Sequence, residues 1–301
     1  MPCYHPLKAW RSRTVNPSGK RSLVFNPELG YVDMPVVLPC GRCIGCRLER
    51  SRQWAMRCMH EKRVAKGGSE FLTLTYEDAF LPHGGSLDKR ALQLFMKRLR
   101  KRFGDGIRFF GCGEYGGTTK RPHYHVLLFN LDLPDKKGIL TRGSTRGYPM
   151  FTSREIGKVW EFGNHALGEV TFESCAYVAR YICDKVTGDM ADAHYERMSK
   201  YGELVGVEPE FVLMSRRPGI GRGWFEKYGR ETYDHDNVIV NGREVRPPRY
   251  YDTLQEAIDP AGLKRLKFAR LRAVNHSENM PERRKVRERV VTLNMKKKSE
   301  L

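Results

Sequence analysis

The stretch RPHYHVLLF, Arg121 to Phe129, sets two histidines two positions apart at the head of an apolar run. Successive side chains of a strand point to opposite faces, so His123 and His125 share one face with Leu127 and Phe129, while Tyr124, Val126 and Leu128 take the other. Pro122 fixes an extended entry, and Arg121 before it is placed to meet a phosphate. Upstream, Glu114 falls in the Gly-rich stretch GEYGGTTK that follows a strand expected over Ile107 to Gly111, on that partner strand or in the turn beside it, and a hairpin can bring its carboxylate towards the imidazoles. Two neutral imidazoles and one carboxylate suit Mg, Mn or a related divalent ion, with positions left open for a phosphate oxygen and water. A closed structural zinc site wants a fourth protein ligand. The plainer reading, histidines satisfied within the sheet, stays open at this point.

Outward from that strand, FLTLTY (Phe71 to Tyr76) is β-branched, aromatic and alternating, which predicts a second strand. Ser86 is expected to cap a helix reaching Phe103, with Leu92, Phe95 and Leu99 at helical spacing and Gly104 closing it. Thr152 and Glu155 read as a capping box, EVTF (Glu169 to Phe172) as a strand, and ESCAYVARYICDKVTG as a helix ending at Gly188. The order strand, helix, strand, strand, helix, strand, helix gives an α+β fold with helices packed on an antiparallel sheet. The last helix carries Tyr177, Tyr181 and Lys185 at i, i+4 spacing, which lays two phenols and an ammonium along one face. A phenol titrates near 10, so attack by one needs a neighbouring metal ion or ammonium, and Lys185 is such a group. The alternative is an amphipathic helix whose tyrosines pack on the sheet.

Charge indicates the partner. The 301 residues carry 54 Lys and Arg against 35 Asp and Glu, a formal charge of +19, which favours a polyanion, nucleic acid first. Phosphate contacts are expected from Lys97, Arg98 and Lys101, from Arg216, Arg217 and Arg222 in SRRPGIGRGW, and from the segment Lys264 to Lys298, a basic, helical or partly disordered tail. No apolar run is long enough to span a bilayer and MPCYHPLKAW has no apolar signal core, so the expectation is a soluble intracellular protein. No phosphate-binding loop is present, since PSGKRS lacks the upstream glycine. Residues 1–46 read as an irregular arm rich in Pro and Gly. Within it CGRCIGC spaces Cys40, Cys43 and Cys46 for a zinc clamp, with Cys3, His5, Cys58 or His60 as fourth ligand; a reduced, redox-neutral loop is the other reading.

Taken together and in this order, FLTLTY, RPHYHVLLF and YVARYICDK resemble the three motifs of HUH rolling-circle replication initiators. The chain looks most like the replication-associated proteins of gokushovirus-type microviruses, which are small single-stranded DNA bacteriophages. The resemblance covers residues 70–190 by motif and implies a sheet of the HUH endonuclease type, ferredoxin-like or RRM-like. It makes His123 and His125 metal ligands, Glu114 the third, Tyr181 the nucleophile, Lys185 its helper and Tyr177 the second tyrosine of a pair. One departure stands at Tyr124, in the middle of the histidine motif, where the family name implies a bulky apolar residue, a description that tyrosine fits. The implied activity is a Mg- or Mn-dependent single-strand DNA endonuclease and strand transferase that nicks an origin through a 5′-phosphotyrosine and starts rolling-circle replication. Implied partners are single-stranded DNA, the origin, and a host polymerase and helicase, with no membrane, in the cytoplasm of the infected bacterial host. Competing readings are an HUH transposase or relaxase and a non-catalytic, zinc-stabilised DNA-binding protein. The expected division is a Cys-containing arm and helix over residues 1–66, the endonuclease core over 67–190, and a basic extension over 191–301.

Overall fold

The computed structural model describes residues 3–17, 19–139, 149–180, 191–198 and 202–300. The chain divides into two compact units, Met1–Arg50 with Lys267–Leu301 and Ser51–Leu266, rather than into the three consecutive segments expected.

In the smaller unit the N-terminal arm is a sheet and not an irregular coil. Strands β1 (Leu7–Ser12), β2 (Leu23–Val24) and β3 (Gly30–Leu38) pair antiparallel in the order β2-β1-β3. The signal is faint because β3 is almost wholly exposed, which removes the alternation of a half-buried strand. Helix α1 (Ile44–Val64) starts here and runs on into the larger unit.

The larger unit is organised by one antiparallel sheet. Its strands are β4 (Ser69–Thr75), β5 (Arg108–Tyr115), β6 (Pro122–Phe129), β7 (Lys137–Ile139), β8 (Met150–Thr152), β9 (His165–Glu169) and, after the two-stranded β10 (Glu196–Met198) and β11 (Leu204–Gly206), β12 (Phe211–Met214). The order across it is β12-β5-β6-β4-β9-β8-β7. The period-two alternation of β6 is resolved by what covers each face. Tyr124, Val126 and Leu128 join Leu72, Leu74 and Phe109 beneath α2 (Lys89–Phe103) and α3 (Arg154–Val159), with Phe95, Leu99 and Trp160 filling that layer. Leu127 and Phe129 join Phe110 and Cys112 beneath the second half of α1 and α4 (Phe172–Arg180), packed by Ala55, Cys58, Cys175 and Val178. With both faces roofed, β6 reads as a nearly continuous buried run.

Several local expectations shift by a residue or two. Asp88, not Ser86, caps α2 by accepting the Arg90 N–H at 2.7 Å, and Ser86 Oγ instead accepts from the Glu208 amide at 2.9 Å. Ser153 rather than Thr152 caps α3, accepting the Ile156 N–H at 3.2 Å. The segment EVTF is not a strand. The strand ends at Glu169, and Thr171 and Ser174 exchange side-chain-to-amide bonds of 3.1 and 2.9 Å that open α4. β5 runs through Glu114 to Tyr115, so Glu114 stands on the partner strand and not in the turn.

Beyond it lie α5 (Ala191–His194), α6 (Arg222–His235), a hairpin of β13 (Val238–Val240) and β14 (Arg243–Val245), α7 (Arg249–Ile258), α8 (Pro260–Arg272) and α9 (Pro281–Glu300), so the basic tail is helical. Within the larger unit α6, α7 and α8 close a third core around Trp224, Phe225, Tyr233 and Tyr251, with Met56 of α1. Among the described residues no helix is long and apolar enough to cross a membrane.

That third core holds a pH-sensitive group. The His60 ring stacks on Trp224 with centroids 3.7 Å apart, and its Nδ1 lies 2.8 Å from the Tyr251 hydroxyl. Burial, with Arg63 adding to it, pulls the imidazole down to about 3. The unfolded chain takes up this proton below about 6.5 and the folded chain refuses it until about 3, so stability rises with pH across that window. Lowering the pH from above 7 to 5 is expected to remove about 2 kcal/mol through this residue. Urea unfolding of the parent and of His60→Phe at both pH values checks it, because the variant should lose that slope; equal slopes refute the assignment.

Candidate functional site

Register brings the three predicted ligands together. β5 and β6 pair so that Glu114 lies directly opposite His123 and Cys112 opposite His125, and all four side chains point to the face roofed by α4. Glu114 Oε1 is 2.6 Å from His123 Nε2 and 3.1 Å from His125 Nε2. The ligand atoms of the three residues lie within 4.8 Å of one another. Glu114 Oε2 is buried with no hydrogen-bond partner among the described residues, so one acceptor is aimed into the cluster and unsatisfied.

The far side of each imidazole is fixed. His123 Nδ1 donates to the Arg121 carbonyl at 3.2 Å, and His125 Nδ1 lies 3.0 Å from Thr73 Oγ1, which stands opposite it on β4. Phe71 stacks on His125 with centroids 5.4 Å apart and planes 13° from parallel. Both Nε2 atoms therefore face the carboxylate, the orientation that a metal-binding histidine pair needs.

Electrostatics agree with that geometry. Burial pushes the Glu114 carboxyl up, but hydrogen bonds from His123 and His125 outweigh it and hold the group down to about 2. Burial opposes charge on both imidazoles. At His123 the carboxylate wins and the pKa rises, whereas at the deeper His125 burial wins and the pKa falls. The donor set is thus one carboxylate and two imidazoles with open positions, which fits a hard or borderline divalent cation.

Tyr177, on α4, approaches from above. Its hydroxyl donates to Glu114 Oε1 at 3.3 Å, and its ring stands edge-on to His125 at 5.2 Å. The two readings of this helix meet in one residue, since Tyr177 also packs against the core between sheet and helix. Tyr181 and Lys185 lie outside the described residues.

The basic residues do not converge in the same way. Lys97 and Lys101 are exposed on α2, over the face of the sheet opposite the histidines, and Arg98 donates through Nε to the Val159 carbonyl at 3.1 Å. Arg121 pairs with Asp78 at 2.5 Å and donates to the Tyr76 carbonyl at 2.9 Å. Arg216 and Arg217 are exposed after β12, and Arg222 is exposed and pairs with Glu226 at 2.8 Å. Tyr233 and Tyr251 are core residues. Thr73 and Phe71 are the site residues that sequence reasoning missed. Their signal is the alternation of FLTLT, which places both on the histidine face once β4 is paired with β6.

In the smaller unit Cys3 joins Cys40, Cys43 and Cys46, and the four sulfurs lie within 4.8 Å of one another. Burial raises the Cys43 thiol, but amide donors from Cys46 and Tyr4 outweigh it and bring it down to about 6. The other candidate fourth ligands are occupied elsewhere: His60 stacks on Trp224, Cys58 is buried beneath α4, and His5 Nε2 lies 2.8 Å from Glu288.

Residues 69–186 match the family described as Replication-associated protein ORF2/G2P, a span that holds Glu114, His123, His125 and Tyr177. The chain is also 34% identical over 264 residues to the replication-associated protein VP4 of Bdellovibrio phage phiMH2K, across 83% of this chain and 76% of that protein. The chain belongs to the replication-associated protein family. Another member, ORF2 of Spiroplasma virus 4, is 33% identical across 73% of this chain and 68% of its own length. ORF4 of Chlamydia phage 1 is 29% identical across 72% of this chain and 53% of its own. No solved structure matches this family member.

Proposed function

We propose that this replication-associated protein starts phage genome replication by nicking one DNA strand at an origin through a tyrosine-linked intermediate, as a metal-dependent endonuclease and strand transferase of the HUH type. The observation that carries the reading is the convergence of Glu114, His123 and His125 within hydrogen-bond reach, with the Tyr177 phenol 3.3 Å from the carboxylate. The family membership supports the replication role, and the phage names of the relatives support action in an infected bacterial host.

A Mg or Mn ion held by His123 Nε2, His125 Nε2 and Glu114 would supply Lewis-acid polarisation of a scissile phosphate. The chain's own groups do the rest. Thr73 and the Arg121 carbonyl hold the imidazoles in register, and Glu114 anchors the tyrosine hydroxyl beside them. The nucleophile is Tyr181, with Tyr177 as the second tyrosine and Lys185 lowering the cost of the phenolate. In the step itself the phenol oxygen bonds to phosphorus and its proton passes to solvent, while the P–O3′ bond breaks and the departing O3′ takes a proton from solvent. The products are a 5′-phosphotyrosine and a 3′-hydroxyl for a host polymerase and helicase to use. The ester keeps the energy of the broken bond, so the reverse attack by a 3′-hydroxyl rejoins the strand without a nucleotide cofactor.

Incubation with end-labelled single-stranded DNA and Mn or Mg, denaturation, and mass mapping of the labelled peptide test this. The expected result is a covalent adduct on Tyr181 or Tyr177, lost in Tyr177→Phe/Tyr181→Phe. Salt-sensitive binding with no adduct under either ion overturns the proposal in favour of a binding protein.

A further inference from the structure

The smaller unit has a stability problem that apolar burial does not solve. Among its described residues Tyr4 and Ala9 are the buried apolar side chains, while Leu29, Val32, Met34 and Val37 are 60, 64, 52 and 71% exposed. Units so poor in core are held by disulfides or a metal. The four cysteines beside this sheet are free thiols, with Cys3 Sγ 3.9 Å from Cys43 Sγ, well beyond a disulfide bond.

Backbone amides are directed at their sulfurs. The Cys40 amide donates to Cys3 Sγ at 3.1 Å, the Cys43 amide to Cys40 Sγ at 3.3 Å, and the Tyr4 amide to Cys43 Sγ at 3.3 Å. Gly41 makes the first of the two-residue turns with φ +75°, a conformation that an L side chain strains to adopt and that folds the Cys43 amide back onto Cys40. Cys46 completes the group from the first turn of α1. Backbone amides thus converge on three of four sulfurs that lie within 4.8 Å of one another and come from segments nearly forty residues apart in sequence.

We infer that Cys3, Cys40, Cys43 and Cys46 hold one structural zinc ion in a closed, tetrahedral, all-thiolate site that organises the smaller unit. Four soft sulfur donors with no open position select zinc over Mg or Mn and leave no place for substrate. Binding replaces thiol protons, which pass to solvent, with Zn–S bonds and involves no oxidation. The site is separate in residues and donor chemistry from the Glu114 cluster, so it stands or falls independently of the nicking proposal.

The test uses the full chain produced with zinc in the medium and dialysed against a mild chelator. Elemental analysis is expected to find one zinc per chain, unchanged in His123→Ala/His125→Ala and reduced roughly tenfold or more in Cys40→Ser/Cys43→Ser. Because the cysteine variant can fail to fold, cobalt exchanged into the parent chain gives a second reading. Thiolate-to-cobalt charge transfer in the near ultraviolet and strong tetrahedral visible bands are expected. Zinc that is lost with the histidines, weak octahedral cobalt bands, or a zinc-free native chain whose four thiols react rapidly with a disulfide reagent each overturns the inference.

Discussion

Glu114→Ala is expected to reduce covalent DNA-adduct formation on the order of a thousandfold, because it removes the one carboxylate of the cluster and, with it, a cation worth several kcal/mol of transition-state charge stabilisation. The loss should appear with both Mn and Mg. The sheet should persist, since Leu127, Phe129, Phe110 and Val178 pack this face without help from Glu114. His125→Ala should behave alike. Thr73→Val, which leaves all three ligands and removes only the hydroxyl 3.0 Å from His125 Nδ1, should weaken ion binding about 10- to 100-fold and be rescued in part by raising the Mn concentration. Titrating Mn against adduct yield separates the variants. An Ala variant at position 114 that forms adduct at the parent rate removes the metal-assisted mechanism.

Arg108→Met should cost about 3–5 kcal/mol of folding stability, because it strands a buried carboxylate. Glu61, 5% exposed on α1, accepts from Arg108 Nε and from the Gly221 amide at 2.6 Å, while Arg108 also donates to the Pro218 carbonyl at 2.8 Å. This network ties α1 to β5 and to the turn that opens α6. Removing the arginine leaves the charge without its principal counterion in a low-dielectric setting. Removing both charges in Glu61→Leu/Arg108→Met should recover part of the loss, the cost being desolvation more than missing attraction. Denaturant unfolding of the parent, single and double variants decides it, and a single variant within about 0.5 kcal/mol of the parent contradicts the account.

The cluster was legible because its logic is local. Period two places His123 and His125 together, and a hairpin between neighbouring strands returns Glu114 to the same face, so one pairing assumption gives three candidate ligands. Orientation by Thr73 needs a second pairing, between β4 and β6, and FLTLTY signals a strand without naming its neighbour. The fourth cysteine was equally beyond local reading, since spacing alone leaves Cys3, His5, Cys58 and His60 as equals, and only folding commits His60 to Trp224 and Cys58 to the core beneath α4. EVTF misled because a β-branched threonine that caps a helix has the composition of a strand residue. The basic helix misled in another way: charge periodicity shows which residues of α2 face solvent, but not that this solvent lies across the sheet from the histidines. One feature was readable and strong, the Asn241-Gly242 pair between β13 and β14, whose φ values of +50° and +73° are those of a tight hairpin turn. The resemblance to HUH initiators extends to Tyr181 and Lys185, which lie outside the described residues, so the assignment of the nucleophile rests on peptide mapping.

The smaller unit takes its sequence from two stretches, Met1–Arg50 and Lys267–Leu301, separated by the whole of the larger one. A ribosome delivers the first stretch before the second, so β1 to β3 and the cysteines emerge long before α9, which supplies Glu288 to His5. The intervening sheet can close while the leading segment is still waiting for its counterpart. Nascent chains arrested ahead of Lys267 should therefore resist protease across β4, β5 and β6, while the segment between β1 and β3 should be cut readily without zinc and less readily with it.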